Sequence, residues 1–367
     1  MLRVNGMLPG PGDLRVPPEL SRRHRLRRGD LLVAERFERD GRAGGNERND
    51  RVAGIARVNG RPVGFGEDSR RPDFAELTPL HPHRRLRLET DSGQLSTRII
   101  DLLTPVGKGQ RGLIVAPPKT GKTLMLKAIA DGISRNHPEC RLMMVLLDER
   151  PEEVTDMRRS VRGEVLASTF DRPAGEHTAL AELAVERAKR LAELGEDVVI
   201  LLDSLTRLCR AYNTTASSGG RTLSGGVDAA SLAGPKRLFG AARSLEEGGS
   251  LTILATALVE TGSRADDFWF EELKSTGNME LRLDRELANR RIYPAIAVDP
   301  SGTRREELLV PPGELELLHR LRRALRGSRE GRDGREGRLP TEVLLERVRA
   351  TRSNGEFLRQ LAATVPG

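Results

Sequence analysis

Aromatic side chains are nearly missing from this chain: Phe, Tyr and Trp together make up 3% of its 367 residues. A core with so few rings rests on Leu, Val, Ile and Ala, and a hydrophobic content of 37% is enough to build one. Cysteine is scarce too. Cys140 and Cys209 are the whole supply and form no CxxC pair, which excludes a disulfide scaffold and fits a reducing compartment. The six histidines are scattered and His81-Pro-His83 reads as a solvated loop, so no metal-ligand cluster is expected beyond a nucleotide's Mg²⁺. No apolar run approaches the length of a membrane span and the N-terminus has no h-region. A cytoplasmic protein that touches no membrane is expected.

Lysine is the last scarcity. Only Lys108, Lys119, Lys122, Lys127, Lys189, Lys236 and Lys274 occur, and arginine is used elsewhere. A compact ammonium is not equivalent to a planar guanidinium. Three of the seven lie in or just before one loop, where a point charge is wanted. The net charge of +8 is uneven. Residues 1–100 hold 20 basic and 14 acidic side chains, residues 311–367 hold 12 and 8, and the middle holds 29 and 31. Basic ends around a near-neutral middle suit a polyanionic partner.

What is present is most informative at residues 113–123. Leu113-Ile114-Val115-Ala116 reads as a buried strand and runs into Pro117-Pro118-Lys119-Thr120-Gly121-Lys122-Thr123. This is the phosphate-loop pattern G-x-x-x-x-G-K-[ST], with Ala116 at the first glycine. Backbone N–H groups at the following helix N-terminus cradle phosphates, Lys122 reaches the β/γ-phosphates and the Thr123 hydroxyl ligates Mg²⁺. A nucleoside triphosphate and Mg²⁺ are the expected ligands.

Three more apolar runs, Met143–Leu147, Val198–Leu202 and Leu251–Ala255, alternate with helix patterns. The alternation predicts an α/β fold with a mostly parallel sheet and its ligand at the strand C-terminal ends. The second strand leads into Asp148-Glu149-Arg150, where Glu149 is placed to activate a water. The third ends at Asp203-Ser204, where the carboxylate serves Mg²⁺. Arg291 and Arg304 are candidates for the cation that phosphoryl transfer needs. Two Gly-rich segments, Ser217–Gly226 and Glu260–Arg264, read as loops able to grip a phosphodiester backbone or as plain flexible connections. The predicted organisation is an all-β module over 1–78, a linker over 79–98, the ATPase core over 99–326, a disordered Gly/Arg-rich insert over 327–338 and a helical segment over 339–367.

Val115–Thr123, Asp148–Thr155 and Leu202–Arg207 resemble the bacterial transcription termination factor Rho family. So do Gly240-Ala241-Ala242-Arg243, Gly277–Leu281 and Ser301–Glu307. The similarity runs in order from about Leu77 to Leu309. It implies a homohexameric ring of RecA-like P-loop ATPase domains, each preceded by an OB-type RNA-binding domain. Such a ring captures nascent single-stranded RNA, moves along it 5′-to-3′ by ATP hydrolysis and releases the transcript from the RNA polymerase elongation complex. By matching motif, Gly107, Lys108, Gly109, Gln110, Arg111 and Gly112 would contact ATP, together with Lys119, Thr120, Gly121, Lys122, Thr123, Leu124 and Arg150. Tyr293 falls where the family stacks an aromatic on adenine. Glu149 would activate water, Asp203 would serve Mg²⁺, and Arg291 and Arg304 would reach a neighbour's γ-phosphate. Arg221, Thr222, Leu223, Ser224, Gly225, Gly226 and Arg264 fall on the channel RNA contacts, and Lys274 lies in a family stretch nearby.

The N-terminal part departs from the family. Asp13–Val16 and Leu26–Leu31 match the later part of the OB-type domain, while the helical domain and the RNA-facing aromatic motif have no counterpart. About Arg51-Val52 stands where the family shows an aromatic pair, so stacking worth about 1–3 kcal/mol per base is expected to be lost. The residues leave two other readings open. One is a rotary or protein-export ring ATPase without RNA dependence. The other is a catalytically idle paralogue that binds RNA without turnover.

Overall fold

The computed structural model describes residues 1–36, 51–63, 71–216, 222–327 and 339–364. A small antiparallel sheet comes first: β1 (Leu32–Arg36), β2 (Val52–Val58) and β3 (Arg61–Pro62). Short strands β4 (Pro79–Leu80), β5 (Arg85–Leu86) and β6 (Val106–Gly107) follow. Then come β7 (Arg111–Ala116), β8 (Arg141–Glu149), β9 (Glu164–Thr169), β10 (Asp197–Asp203), β11 (Arg243–Leu245), β12 (Ser250–Leu258), β13 (Met279–Arg282) and β14 (Gly302–Thr303). The helices are α1 (Pro18–Arg23), α2 (Leu95–Leu103), α3 (Lys122–Asn136), α4 (Pro151–Ser160), α5 (Ala174–Ala192), α6 (Leu205–Thr215) and α7 (Ala233–Phe239). The last five are α8 (Arg264–Lys274), α9 (Arg285–Asn289), α10 (Pro312–Gly327), α11 (Pro340–Arg349) and α12 (Asn354–Thr364).

The large sheet runs β14-β13-β7-β12-β10-β8-β9, with β11 and β4 joined beside β12. From β13 to β9 every neighbouring pair is parallel. The four apolar runs read from the sequence are β7, β8, β10 and β12. Such runs suit strands covered by helices on both faces. Along β7, Leu113 and Val115 belong to the core shared with α5 to α8, and Ile114 and Ala116 to the core shared with α2, α3 and α10 to α12. That is the period of two expected of a strand.

Two expected boundaries differ in the structure. Residues 79–98 are not a linker. β4 pairs with β11, β5 pairs with β6, and Leu86 and Leu88 are fully buried. The helical segment after 339 is two helices, whose Leu344, Val348, Phe357 and Leu361 join the main core. A buried Arg98 on α2 holds their junction. Its guanidinium donates to the Val348 and Thr351 carbonyls at 2.9 and 2.8 Å and to the Asn354 side chain at 3.2 Å. The insert expected over 327–338 lies outside the described residues beyond Gly327.

The N-terminal module buries little; among described residues 1–63 its buried apolar side chains are Leu14 and Val52. It is seated on α5 and its C-terminal cap Glu193 by polar contacts. Arg27 pairs with Glu193 at 2.7 Å, Arg28 with Glu182 at 2.8 Å, and Arg187 donates to Asn59 at 2.6 Å.

Candidate nucleotide site and loops

The phosphate loop spans the gap between β7 and α3. Lys119 (φ 67°) and Gly121 (φ 91°) take left-handed backbone, and the buried Thr120 hydroxyl donates to the Pro117 carbonyl at 2.7 Å. Thr123 follows Lys122 in the first turn of α3, and Leu124 is exposed. Lys122 Nζ lies 2.7 Å from Asp203 at the end of β10 and 3.2 Å from Glu149 at the end of β8. Both carboxylates are buried. The parallel sheet brings them together because both strands end at the edge where the loop begins. Thr256 donates to Asp203 at 2.8 Å.

Sequence reading missed Arg207. It stands three residues after Ser204, whose side chain caps α6, so it turns back toward the strand ends. Its guanidinium lies 3.0 Å from Glu149 and donates to the Asp148 carbonyl. Burial pushes the Glu149 carboxyl up from its ordinary value and the Asp203 carboxylate adds to this; Lys122 and Arg207 pull back without reversing it. A carboxyl raised in this way accepts a proton more readily than an exposed one. Arg150 is exposed beside it at the start of α4.

Tyr293 stands beside the loop, with its ring 3.8 Å from where a Cβ on Gly121 would be. A cleft of about 220 Å³ opens there, lined by Leu95, Thr120, Gly121, Leu124, Met125 and Tyr293. On the other side of Tyr293 a hollow of about 450 Å³ is lined by Arg291, Glu342, Glu346 and Arg349.

The structure does not bring every expected residue to this edge. Gly107, Lys108, Gly109, Gln110, Arg111 and Gly112 lie at the N-terminal end of β7. Six residues of strand put them about 20 Å from the phosphate loop. They serve the fold there. A Cβ on Gly109 (φ +93°) would meet the Ser244 nitrogen at 2.2 Å. Gln110 donates to Asn278 at 2.6 Å, and Arg111 to the Thr276 and Ala242 carbonyls at 2.9 and 3.0 Å. Lys108 is paired with Asp197 and Glu139. Apart from the half-buried Arg111, this stretch is buried against backbone and side chains. Arg304 is exposed at the same far edge, since Thr303 pairs with Met279 and Met279 with Gly112. Arg291 is exposed at the phosphate edge. The two arginines therefore do not converge within one chain.

Of the two Gly-rich loops, residues 217–221, with Arg221, lie outside the described residues. Thr222, Ser224, Gly225 and Gly226 are exposed and Leu223 is half-buried. A Cβ on Gly225 would come within 2.7 Å of the Ala265 nitrogen, so this loop touches the start of α8, where Arg264 is exposed. Lys274 is at the other end of that helix, about 15 Å away. It lies 5.7 Å from the Phe270 ring centre.

A parallel sheet with a phosphate loop and two strand-end carboxylates defines a nucleotide-binding ATPase domain. Residues 96–303 match the model of the ATP synthase alpha/beta family, nucleotide-binding domain. Two solved structures share the fold. A type III secretion system ATPase of pathogenic bacteria has a TM-score of 0.65 at 23% identity, over 79% of this chain and 87% of the other. The assembled ATPase EscN of enteropathogenic E. coli has a TM-score of 0.62 at 21% identity, over 78% and 72%. Much nearer are proteins described as transcription termination factor Rho. The one from Streptomyces coelicolor is 64% identical over all of this chain and 83% of its own length. Those from Streptosporangium roseum and Mycobacterium tuberculosis are 58% and 54% identical, over 89% and 60% of their lengths. The chain belongs to the transcription termination factor Rho family and is an ATP-hydrolysing enzyme. Among the described residues no helix is long and apolar enough to cross a membrane.

Proposed function

We propose that this enzyme is an RNA-dependent ATPase that moves 5′-to-3′ along nascent single-stranded RNA as a homohexameric ring and releases it from the RNA polymerase elongation complex. The observation that carries the reading is the meeting of Lys122, Glu149, Asp203 and Arg207 at the sheet edge that also bears the two touching loops. Lys122 exchanges its carboxylate partners for phosphate oxygens. Glu149, held by Arg207, takes the proton of the attacking water. Thr123 and Asp203 flank Lys122 with the oxygen ligands a hard cation needs, so they fit Mg²⁺. Held by Thr123 and Asp203, Mg²⁺ would supply neutralisation of charge on the phosphate oxygens. Tyr293 stacks on the base, and Lys119, Thr120, Gly121, Leu124 and Arg150 complete the ATP contacts. Arg304 sits about one strand length from its own loop, so it acts on a neighbouring subunit's nucleotide, while Arg291 borders its own. Arg221, residues 222–226 and Arg264 grip the RNA backbone.

The test is ATP hydrolysis by the purified chain with and without poly(C) RNA. Strong stimulation is expected. Hydrolysis that ignores RNA would support an export-type ring ATPase, and no hydrolysis in either case would support an idle paralogue.

A further inference from the structure

One carboxylate joins the N-terminal module to the helix that carries a proposed RNA loop. Glu182, on α5, uses both oxygens: Oε2 accepts from Arg28 of the module at 2.8 Å and Oε1 accepts from the Tyr212 hydroxyl of α6 at 2.6 Å. The module is set close against α5, since a Cβ on the neighbouring Gly29 (φ +88°) would come within 2.4 Å of the Glu186 backbone. The Tyr212 ring is held from its other side by Gly234 of α7, where a Cβ would lie 2.4 Å from the ring.

The residue after Tyr212 grips the loop. Asn213 accepts from the Asp228 N–H at 2.7 Å and donates to the Gly226 carbonyl at 3.3 Å, closing the turn that Thr222 and Asp228 pair across. An asparagine amide that takes both a donor and an acceptor of one loop fixes its position as a backbone strand would. At the other end of α6 stand Ser204, next to Asp203, and Arg207 on Glu149. A helix of 11 residues is about 16 Å of rigid rod. A shift of the module at Arg28 thus has a continuous chain of contacts to follow, from the half-exposed Arg28–Glu182 pair to Tyr212, Asn213 and the loop.

We infer that Glu182 and Tyr212 are positioning residues that set the 222–228 loop according to the seating of the N-terminal module, and so set the RNA concentration at which hydrolysis is stimulated. This rests on the RNA-dependent reading above. None of Arg28, Glu182 or Tyr212 touches the nucleotide residues, so a change confined to them acts on RNA response rather than on chemistry.

The experiment uses the full chain and the variants Tyr212→Phe, Arg28→Ala and the double variant. Two quantities are read: hydrolysis against poly(C) concentration, and hydrogen exchange of the 222–228 amides. Tyr212→Phe is expected to raise the half-stimulating poly(C) concentration by about 3- to 30-fold, the range for a hydrogen bond to a charged group in partly solvated surroundings. The RNA-free and maximal rates stay within about twofold of wild type, and the 222–228 amides exchange faster. The double variant is expected to resemble the stronger single one, because both changes cut the same relay. Unchanged loop exchange and an unchanged half-stimulating concentration would overturn the inference. So would an equal fall in RNA-free and stimulated rates. If the wild type itself ignores poly(C), the RNA-dependent reading fails. Loop exchange then decides the relay alone: faster exchange in Tyr212→Phe keeps it and unchanged exchange removes it.

Discussion

Lys108 and Lys122 stand at opposite ends of β7 and each faces two carboxylates. Lys108 lies 2.7 Å from Asp197 and 2.8 Å from Glu139; Lys122 lies 2.7 Å from Asp203 and 3.2 Å from Glu149. Each group also holds one arginine, Arg84 on Asp197 at 2.7 Å and Arg207 on Glu149 at 3.0 Å. The charge count is the same and the electrostatic outcome is opposite. At the far end burial works against ionisation, but the Lys108 hydrogen bond and charge, with the Glu139 backbone and His137 on one carboxylate and Ser250 and Arg84 on the other, together outweigh it, holding Glu139 at about 2 and Asp197 below the usual carboxylate range. At the phosphate end burial wins and Glu149 rises. The Glu139 side chain is 51% exposed and that of Glu149 3%. The first group opens to solvent at Glu139, and the second is closed around a lysine that, in the proposed mechanism, exchanges its partners for phosphate. An ion cluster near a glycine turn is therefore not by itself a phosphate site. The end of the strand at which it sits decides.

The same substitution at both lysines tests this most severely. Lys122→Ala is expected to cut kcat by at least about 10²–10³-fold, the scale for one lost preorganised donor; turnover near wild type would remove this lysine from the phosphates. Lys108→Ala is expected to leave turnover per folded molecule unchanged. It should lower unfolding free energy by about 3 kcal/mol in urea titration, the low end for stripping a partner from a buried pair. If Lys108→Ala instead lost turnover at full stability, the two clusters would not differ as described. The glycines sharpen the contrast. Gly109→Ala costs about 1–3 kcal/mol for its left-handed backbone alone, and its Cβ also meets backbone at 2.2 Å. Gly121→Ala meets nothing nearer than Tyr293 at 3.8 Å, so Gly109→Ala should show the lower urea midpoint. Equal midpoints would speak against the tight packing of the far edge.

The smallest effects are in pH. Because Glu139 and Asp197 are lowered, their contribution to stability is present above the ordinary carboxylate range and lost as pH falls toward about 2. Glu149 has the opposite sign: the folded protein holds its proton longer, so this group's contribution declines as pH rises above about 4.5. As a base it must be ionised, so the acid limb of kcat/KM is expected above the ordinary carboxylate range. An acid limb at that range in a pH–rate profile would count against a buried base.

Where the sequence was readable, burial on both sides of a strand was the reason. Val198 to Leu202 has no surface to hide, so its apolar run reads directly, and so does the phosphate loop that follows Leu113–Ala116. β13 and β14 escaped notice because four and two residues carry too little pattern. Residues 79–98 looked like a linker because their strands are two residues long, although Leu86 and Leu88 are buried. Gly107–Gly112 lie at the end of β7 away from the phosphate loop, which motif matching could not show because it carries no strand direction. Arg207 was one arginine among many until the α6 cap turned it toward Glu149.

The matched family region closes at residue 303, yet the Arg98 guanidinium near its start spends its hydrogen bonds on carbonyls 250 residues later. The matched nucleotide-binding region and the folded core thus draw different outlines on one chain. The matched ATPase region is not an autonomous body with a helical appendix. Its first helix is completed by the last hairpin, as a vault is completed by its keystone.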